Sequence, residues 1–317
     1  MQPDISKISI KNNLKQIKDF LTEVILSPRK NMIKWSKITN QTPNLKIGYP
    51  GQHLASLITG MQGTATGARG QDIIDGTEVK SCSRVDQLDK CEDCKSNVLR
   101  FQNTCEVCGS ENIRRQNDSK WLIGIKNEKE LDLYLNKIPR ILFLISDYPR
   151  FPIQDYSIIR FSSYEIWNQS ERAYNFRTLL YDYYHEIYLK HIERDAKKQP
   201  APKNFWPYSF QFYMCNPIKT FECVIEKIDT ITPSINITHY IEPHVDRGGI
   251  PSENLPCFLL NKQEKESLNK SNIDWEKLGS LDEETKKLLK LRNTSKAQPQ
   301  NQIYHRGEWG IFKEVKD

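Results

Sequence analysis

The stretch Gly70-Gln71-Asp72-Ile73-Ile74-Asp75-Gly76-Thr77-Glu78-Val79-Lys80-Ser81 is the most informative part of this 317-residue chain. An acid is followed by a turn and then by acid-x-lysine among β-forming residues. Because side chains alternate along a strand, Glu78 and Lys80 lie on one face of it. The stretch therefore predicts two short strands joined about Asp75-Gly76, with charged groups gathered near the turn.

The length of the turn decides which acid joins Glu78. A two-residue turn of Asp75-Gly76 sends Asp72 to the opposite face of the hairpin. A three-residue loop over residues 74–76, with glycine in the left-handed conformation, instead pairs Asp72 with Glu78. Glycine stands at the third position of that loop. Asp72 is therefore the predicted first acid, and Asp75 is the alternative.

Two carboxylates beside a lysine make a site for a hard divalent cation. Mg²⁺ prefers oxygen ligands and usually keeps several waters, so Asp72 and Glu78 are its predicted ligands. When bound, it lowers the pKa of a coordinated water and neutralises charge on a phosphate. Lys80 is expected to assist that water and to stabilise the transition state. Asp72, Glu78 and Lys80 are thus the candidate catalytic residues; the alternative interpretation is a surface hairpin with a cross-strand ion pair.

Residues on both sides of the acidic stretch are candidates for DNA contact. Ser81, Ser83 and Arg84 leave the strand with hydroxyl and guanidinium groups that suit phosphate oxygens. Arg69 lies in a glycine-spaced run over residues 60–70, where the backbone can approach a phosphate closely. That run lacks the order Gly-x4-Gly-Lys-Ser/Thr, so it is not a P-loop.

Asp72, Glu78 and Lys80 resemble the signature of the PD-(D/E)XK nucleases, a superfamily that includes most type II restriction endonucleases. The resemblance is confined to residues 1–150 and is strong over residues 69–84. No proline precedes Asp72, and its gap to Glu78 is short for the superfamily. The resemblance implies a restriction-endonuclease-like α/β fold with a mixed central sheet flanked by helices. It also implies Mg²⁺-assisted hydrolysis of double-stranded DNA and a homodimer that reads a palindrome.

A second strong pattern is formed by four cysteines, Cys91-x2-Cys94 and Cys105-x2-Cys108. Two short knuckles joined by a β-like stretch supply the thiolates of a tetrahedral structural Zn²⁺ site. Disulfides are the alternative, and they imply an oxidising compartment that nothing else in the sequence indicates. The insertion at residues 88–116 is therefore predicted to be a zinc ribbon. Its role is structural, with contact to DNA left open because basic residues surround it.

Composition and periodicity describe the rest of the chain. Hydrophobic residues make up 38% and charged residues 27%, which is typical of a folded protein. The apolar runs are far shorter than the roughly 20 residues of a membrane span, so a soluble, cytoplasmic protein is expected. The net charge of +6 is compatible with a polyanionic partner.

The order of predicted elements indicates two portions. A strand, a helix and a strand over residues 121–145 are typical of an α/β core. Residues 1–150 are therefore predicted to form the nuclease core, and residues 151–317 an α+β C-terminal portion for recognition and dimerisation. Pro28 is predicted to end the first helix, and a capping pattern at residues 280–283 predicts a last, charged helix.

Two other functions fit the same residues. A structure-specific DNA repair nuclease uses the same active site but prefers branched or damaged DNA. A zinc-containing DNA-binding regulator, in which the acidic hairpin is only an ion pair, binds duplex DNA and leaves it intact when Mg²⁺ is present.

Overall fold

The computed structural model describes residues 1–44, 46–65, 71–197, 199–260 and 262–272. Its strands are β1 (Glu78–Ser83), β2 (Asp89–Cys91), β3 (Asn97–Val98), β4 (Ile113–Arg114), β5 (Trp121–Ile123), β6 (Ile141–Asp147), β7 (Ile159–Ile166), β8 (Lys203–Phe205), β9 (Ile218–Glu226) and β10 (Ser234–Tyr240). Its α-helices are α1 (Asn13–Phe20), α2 (Ser27–Thr39), α3 (Gly48–Thr59), α4 (Glu128–Asp132), α5 (Tyr174–Asp182), α6 (Lys190–Arg194), α7 (Phe210–Met214) and α8 (Lys262–Lys270).

A five-stranded sheet in the order β1-β6-β7-β9-β10 forms the centre of the described structure. β1 runs parallel to β6, in a register that begins with Glu78 opposite Ile141. The other neighbours in the sheet pair antiparallel. Helices flank this mixed sheet, so the prediction of an α/β fold with a mixed central sheet is confirmed. Strands from both sides of residue 150 enter the sheet, and the later portion of the chain completes it.

Both faces of the sheet are covered, and β6 shows this most clearly. Ile141, Phe143 and Ile145 face a cluster that includes buried side chains of α5 and α7. Leu142 and Leu144 face a second cluster, which includes buried side chains of α1 and α3. A strand covered on both faces is apolar at every position. This burial fixes β6 as the strand on which β1 is positioned.

The first helix does not end at Pro28. A π-helical turn, Leu21–Leu26, continues α1 into α2, and the proline lies in the first turn of α2. The π-helical turn directly before the proline shifts the backbone hydrogen bonds, as the amide of Ser27 donates to the carbonyl of Thr22, five residues earlier, and this shift accommodates a residue without an amide inside a continuous helix. The prediction that Pro28 ends the helix is wrong for this reason.

Some predictions concern residues beyond the described ranges. The charged helix expected after residue 280 and the candidate DNA contact Arg69 both lie outside them. Among the described residues, no helix is both long enough and apolar enough to span a lipid bilayer.

Candidate active site

The acidic stretch forms a tight turn. The backbone amides of Asp72 and Ile73 both donate to the carbonyl of Thr77, at 3.0 and 3.2 Å. The amide of Gly76 donates to the carbonyl of Ile73 at 2.9 Å, and Gly76 has a φ of +90°. This is the three-residue loop over residues 74–76, whose last position requires glycine.

The strand expected before the turn does not form among the described residues. Ile73 makes only an isolated bridge with Gly63, and the ladder of the central sheet begins at Glu78. The amides of Asp72 and Ile73 both donate to the carbonyl of Thr77, so these two residues belong to the turn and do not form a strand paired along β1. The prediction of two strands is wrong here, although the turn type predicted from Gly76 agrees with the structure.

The carboxylate of Asp72 lies at the start of β1. Its Oδ2 accepts a hydrogen bond from the amide of Val79 at 2.7 Å, and its Oδ1 accepts one from Gln52 Nε2 of α3 at 2.6 Å. Burial raises the pKa of Asp72; the bond from Val79 lowers this pKa, and the charge of Glu78 raises it again, with a net rise. The carboxylates of Asp72 and Glu78 are therefore close enough for the charge of one to affect the pKa of the other.

Glu78 and Lys80 form a close ion pair on one face of β1. The hydroxyl of Tyr134 donates to Glu78 Oε1 at 3.4 Å, and Lys80 Nζ lies 5.9 Å from the centre of the Tyr134 ring. Burial lowers the pKa of Lys80, but Tyr134 and Glu78 raise it, and the net pKa is raised. Lys80 is thus held as a cation beside the two acids.

Tyr134 was not identified from the sequence. It lies in a π-helical segment, Leu133–Lys137, that follows α4 in the connection between β1 and β6. Burial raises the pKa of Tyr134 to about 12, so the hydroxyl keeps its proton and can donate to Glu78 at neutral pH. No motif marks this tyrosine, because only the parallel pairing of two strands brings it to the site.

Asp75 lies on the same turn but has a different partner. Its Oδ2 is 2.7 Å from Arg140 Nη2, and Arg140 also contacts Thr77 Oγ1 at 2.9 Å and Glu165 Oε1 at 2.9 Å. Arg140 is 1% exposed and lies 5.1 Å from the centre of the Trp167 ring. Asp75 therefore anchors the turn, and the geometry favours Asp72 as the acid that accompanies Glu78.

Helix α3 approaches β1 very closely. A Cβ atom added to Gly51 would lie 2.0 Å from Ser81 Oγ, so only glycine permits this distance. The close approach places Gln52, the next residue of the helix, against Asp72. Sequence reasoning missed both Gly51 and Gln52, whose positions depend on packing between a helix and a distant strand.

The structure separates the residues predicted to contact DNA. Ser81 and Ser83 line a cleft beside β1. Arg84 is 4% exposed, donates through Nε to the carbonyl of Ser119 at 3.1 Å and lies over the Tyr208 ring. These contacts favour an anchoring role for Arg84 over direct contact with DNA.

The four cysteines of the predicted ribbon come together beside a small sheet in the order β3-β2-β4. Their sulfur atoms all lie within 4.8 Å of one another. Cys91 and Cys108 are 3.6 Å apart, and Cys94 and Cys105 are 3.5 Å apart, with all four thiols free. Zn–S bonds of about 2.3 Å in a tetrahedron separate the sulfurs by about 3.7 Å, so this donor set fits Zn²⁺. Cys82 is buried at 5% exposure, as predicted for a core thiol.

Comparison with known proteins supports a nuclease. The sequence model of the MamI restriction endonuclease family matches residues 34–258, more than half of the chain and the whole of the site described above. The type II restriction enzyme MamI of Microbacterium ammoniaphilum is 33% identical over 57 residues, which is 18% of this chain and 18% of that protein. No solved structure matches the chain. From the extent of the family match, the chain belongs to the MamI restriction endonuclease family.

Proposed function

We propose that this protein is a Mg²⁺-dependent type II restriction endonuclease that hydrolyses double-stranded DNA at a specific sequence. Membership of a restriction endonuclease family supports the nuclease class. The observation that carries the proposal is the juxtaposition of Asp72, Glu78 and Lys80 at the start of an edge strand. It agrees with the resemblance of the same residues to the PD-(D/E)XK signature.

Asp72 and Glu78 are the residues that would hold Mg²⁺. Carboxylate oxygens are the donors this cation prefers, and both side chains are buried while their charges interact. When bound, the ion supplies an acidic water and neutralises phosphate charge. Gln52 and the Val79 amide orient Asp72, so its carboxylate is fixed before any ligand arrives.

Lys80 acts as a cation in this proposal. Its raised pKa, caused by Tyr134 and Glu78 against the effect of burial, keeps its ammonium group protonated at neutral pH. A fixed positive charge stabilises the negative charge that develops on a phosphate in the transition state. Lys80 therefore orients the attacking water and stabilises the phosphate, while Tyr134 positions Glu78 through a hydrogen bond.

The four-cysteine cluster is proposed to hold a structural Zn²⁺ ion. The short strands β2, β3 and β4 enclose a core of only a few apolar side chains, so the metal supplies stability that the segment cannot obtain from burial. In the same proposal the protein acts as a cytoplasmic homodimer on a palindromic site. This part rests on the resemblance to the superfamily, and sedimentation of the zinc-loaded protein tests it.

The experiment is incubation of the purified, zinc-loaded protein with plasmid and phage DNA, with Mg²⁺ and without it. Glu78→Ala and Lys80→Ala accompany the wild type as site variants, and Lys190→Ala, an exposed lysine of α6, serves as the control. We expect discrete bands that require Mg²⁺, persist in the control and vanish in both site variants.

Two outcomes would replace the proposal with an alternative. Preference for branched or damaged substrates, with no discrete bands from intact DNA, indicates a structure-specific repair nuclease. Tight binding of duplex DNA that stays intact in Mg²⁺ indicates a zinc-containing regulator.

A further inference from the structure

We propose that a polar cleft along the outer edge of β1 is a DNA-binding site that holds one strand beside the candidate active centre. The inference rests on the proposed nuclease function and assigns a location to its substrate. The cleft has a volume of about 820 Å³. Its lining includes Ser81 and Ser83 of β1 together with Lys90 and Asn97 of the four-cysteine module, which covers residues 88–116.

The cleft and the acidic pair share one edge of the sheet. β1 is an end strand, so one of its edges faces away from β6. The amide of Glu78 donates to Arg140 beside β6, and backbone groups alternate in direction along a strand. The amides of Val79, Ser81 and Ser83 therefore face outward. The first of these is bound by Asp72, and the next two belong to residues of the cleft.

The charge of the lining suits a polyanion. Three lysines, Lys46, Lys90 and Lys120, line the cleft together with one acid, Asp118. Lys90 Nζ donates to the neutral amide oxygen of Asn97 at 2.6 Å, and Lys120 Nζ lies 4.5 Å from the centre of the Trp206 ring. Lysines spaced along a groove are the usual contacts of phosphates in a nucleic-acid backbone.

Amide side chains make up much of the remaining lining. Asn44, Asn97 and Gln116 carry amide groups that can both donate and accept, whereas the amide of Gln87 is bonded at both ends to Asp118. Such side chains discriminate between base edges, whereas lysines contact phosphates irrespective of sequence. Lysines and amides together therefore favour a nucleic-acid strand over a simple anion or an apolar ligand.

The part of the cleft formed by the four-cysteine module is held rigidly. Asp89, which precedes Lys90, is fully buried and pairs with Arg100 at 2.9 Å and with Arg115 at 2.8 Å. Arg100 also lies 4.8 Å from the centre of the Tyr156 ring, and this contact fixes the module to the main body of the structure. The position of Lys90 is thus set by the four-cysteine module. In this proposal the module has a structural role and also presents Lys90 to DNA.

The test is equilibrium binding of a fluorescent DNA duplex without Mg²⁺, over a series of salt concentrations. The variants are Lys90→Gln, Lys120→Gln and the double variant, with Lys190→Gln as the control. Each single variant is expected to bind about 3- to 10-fold more weakly. The double variant should lower the slope of log affinity against log salt by about two, because each phosphate contact contributes about 0.9. Zinc content and thermal stability, measured in parallel, show that each variant is folded.

Wild-type affinity and an unchanged salt slope in the folded double variant would overturn the inference, even if the wild type cleaves DNA. Failure of the wild type to cleave, combined with the expected loss of binding in the variants, would contradict the proposed function and leave the cleft as a DNA-binding site.

Discussion

Asp75 and Arg140 form a buried ion pair, with 2.7 Å between Oδ2 and Nη2, on the turn that separates Asp72 from Glu78. The pair lies beside the candidate metal ligands, but neither Asp75 nor Arg140 is one of those ligands. Arg140 reaches the same turn a second time through Thr77 Oγ1. The arrangement separates two acids that are three residues apart, one assigned to the metal and the other to the turn.

Substitution of the two acids should therefore have different effects. Asp72→Asn is expected to lower cleavage at saturating DNA by at least about 100-fold with little loss of stability, because it removes a proposed metal ligand. Asp75→Asn should reduce the free energy of unfolding by about 3 kcal/mol, the usual cost of breaking a buried ion pair, and retain cleavage at low temperature. Single-turnover rates and denaturant titration measure both. Equal loss of cleavage at equal stability would contradict the assignment.

Tyr134 is predicted to affect cleavage without changing the affinity for DNA. Tyr134→Phe removes the donor to Glu78 Oε1, and a hydrogen bond to a charged group contributes about 1.5–3 kcal/mol. We expect about a 10-fold lower rate, the smaller end of this range, because the contact is long. Tyr181→Phe, an exposed tyrosine of α5, is the control. An unchanged rate in Tyr134→Phe would show that this hydroxyl does not position Glu78.

The close approach of α3 to β1 predicts that one substitution destabilises the protein and that a second substitution reverses the loss. Gly51→Ala places a methyl group against Ser81 Oγ and Cβ, and such overpacking costs about 1–3 kcal/mol. It should also displace Gln52 from Asp72 and so slow cleavage. Ser81→Gly in the same chain removes both clashing atoms and should restore much of the lost stability.

Gly48→Ala, on the same helix, is the matched control. The methyl group added there would meet no atom of a neighbouring element within 4 Å. Thermal unfolding of the four proteins measures the effect. A Gly51→Ala variant as stable as Gly48→Ala would contradict the close packing of α3 on β1.

The cysteine cluster should contain about one Zn²⁺ per chain. Cys105→Ser is expected to lower the zinc content and to expose residues 88–116 to limited proteolysis, because the module has little apolar core of its own. Cys82→Ser, at a buried cysteine outside the cluster, should leave the zinc content unchanged. Zinc-free wild-type protein with a protease-resistant module would contradict the assignment.

Local sequence patterns predicted part of the candidate site, whereas the rest depends on long-range packing. The turn at Gly76 and the knuckles at Cys91 and Cys105 are short-range features, in which spacing alone restricts the backbone or the ligand geometry. Tyr134 and Arg140 reach the acidic stretch only because β1 pairs with β6. Their sequence separation from Glu78 hides that relationship, and no local periodicity reveals it.

The surroundings of Arg84 could not be predicted from the sequence for a related reason, and its contact with DNA stays a prediction. Arg84 was expected to contact DNA because a basic residue after a strand suits a phosphate. Its burial depends on the Ser119 carbonyl and the Tyr208 ring, which lie in distant parts of the sequence. Similarly, the helix continues past Pro28 because a π-helical turn precedes the proline, which a rule based on residue type does not anticipate.

Asp72 and Glu78 are proposed to hold a divalent cation at the start of β1, and this site can be tested directly. Fe²⁺ added to the zinc-loaded protein with ascorbate and dissolved oxygen tests it without DNA, because peroxide formed from the oxygen is reduced at the bound iron to radicals that cut the nearby backbone. The cut positions are read by mass spectrometry, with excess Mg²⁺ as competitor. We predict Mg²⁺-sensitive cuts within residues 72–80 that disappear in Asp72→Asn and Glu78→Gln and persist in Asp75→Asn. Cuts located elsewhere, or cuts unchanged in the first two variants, would contradict a cation site at Asp72 and Glu78.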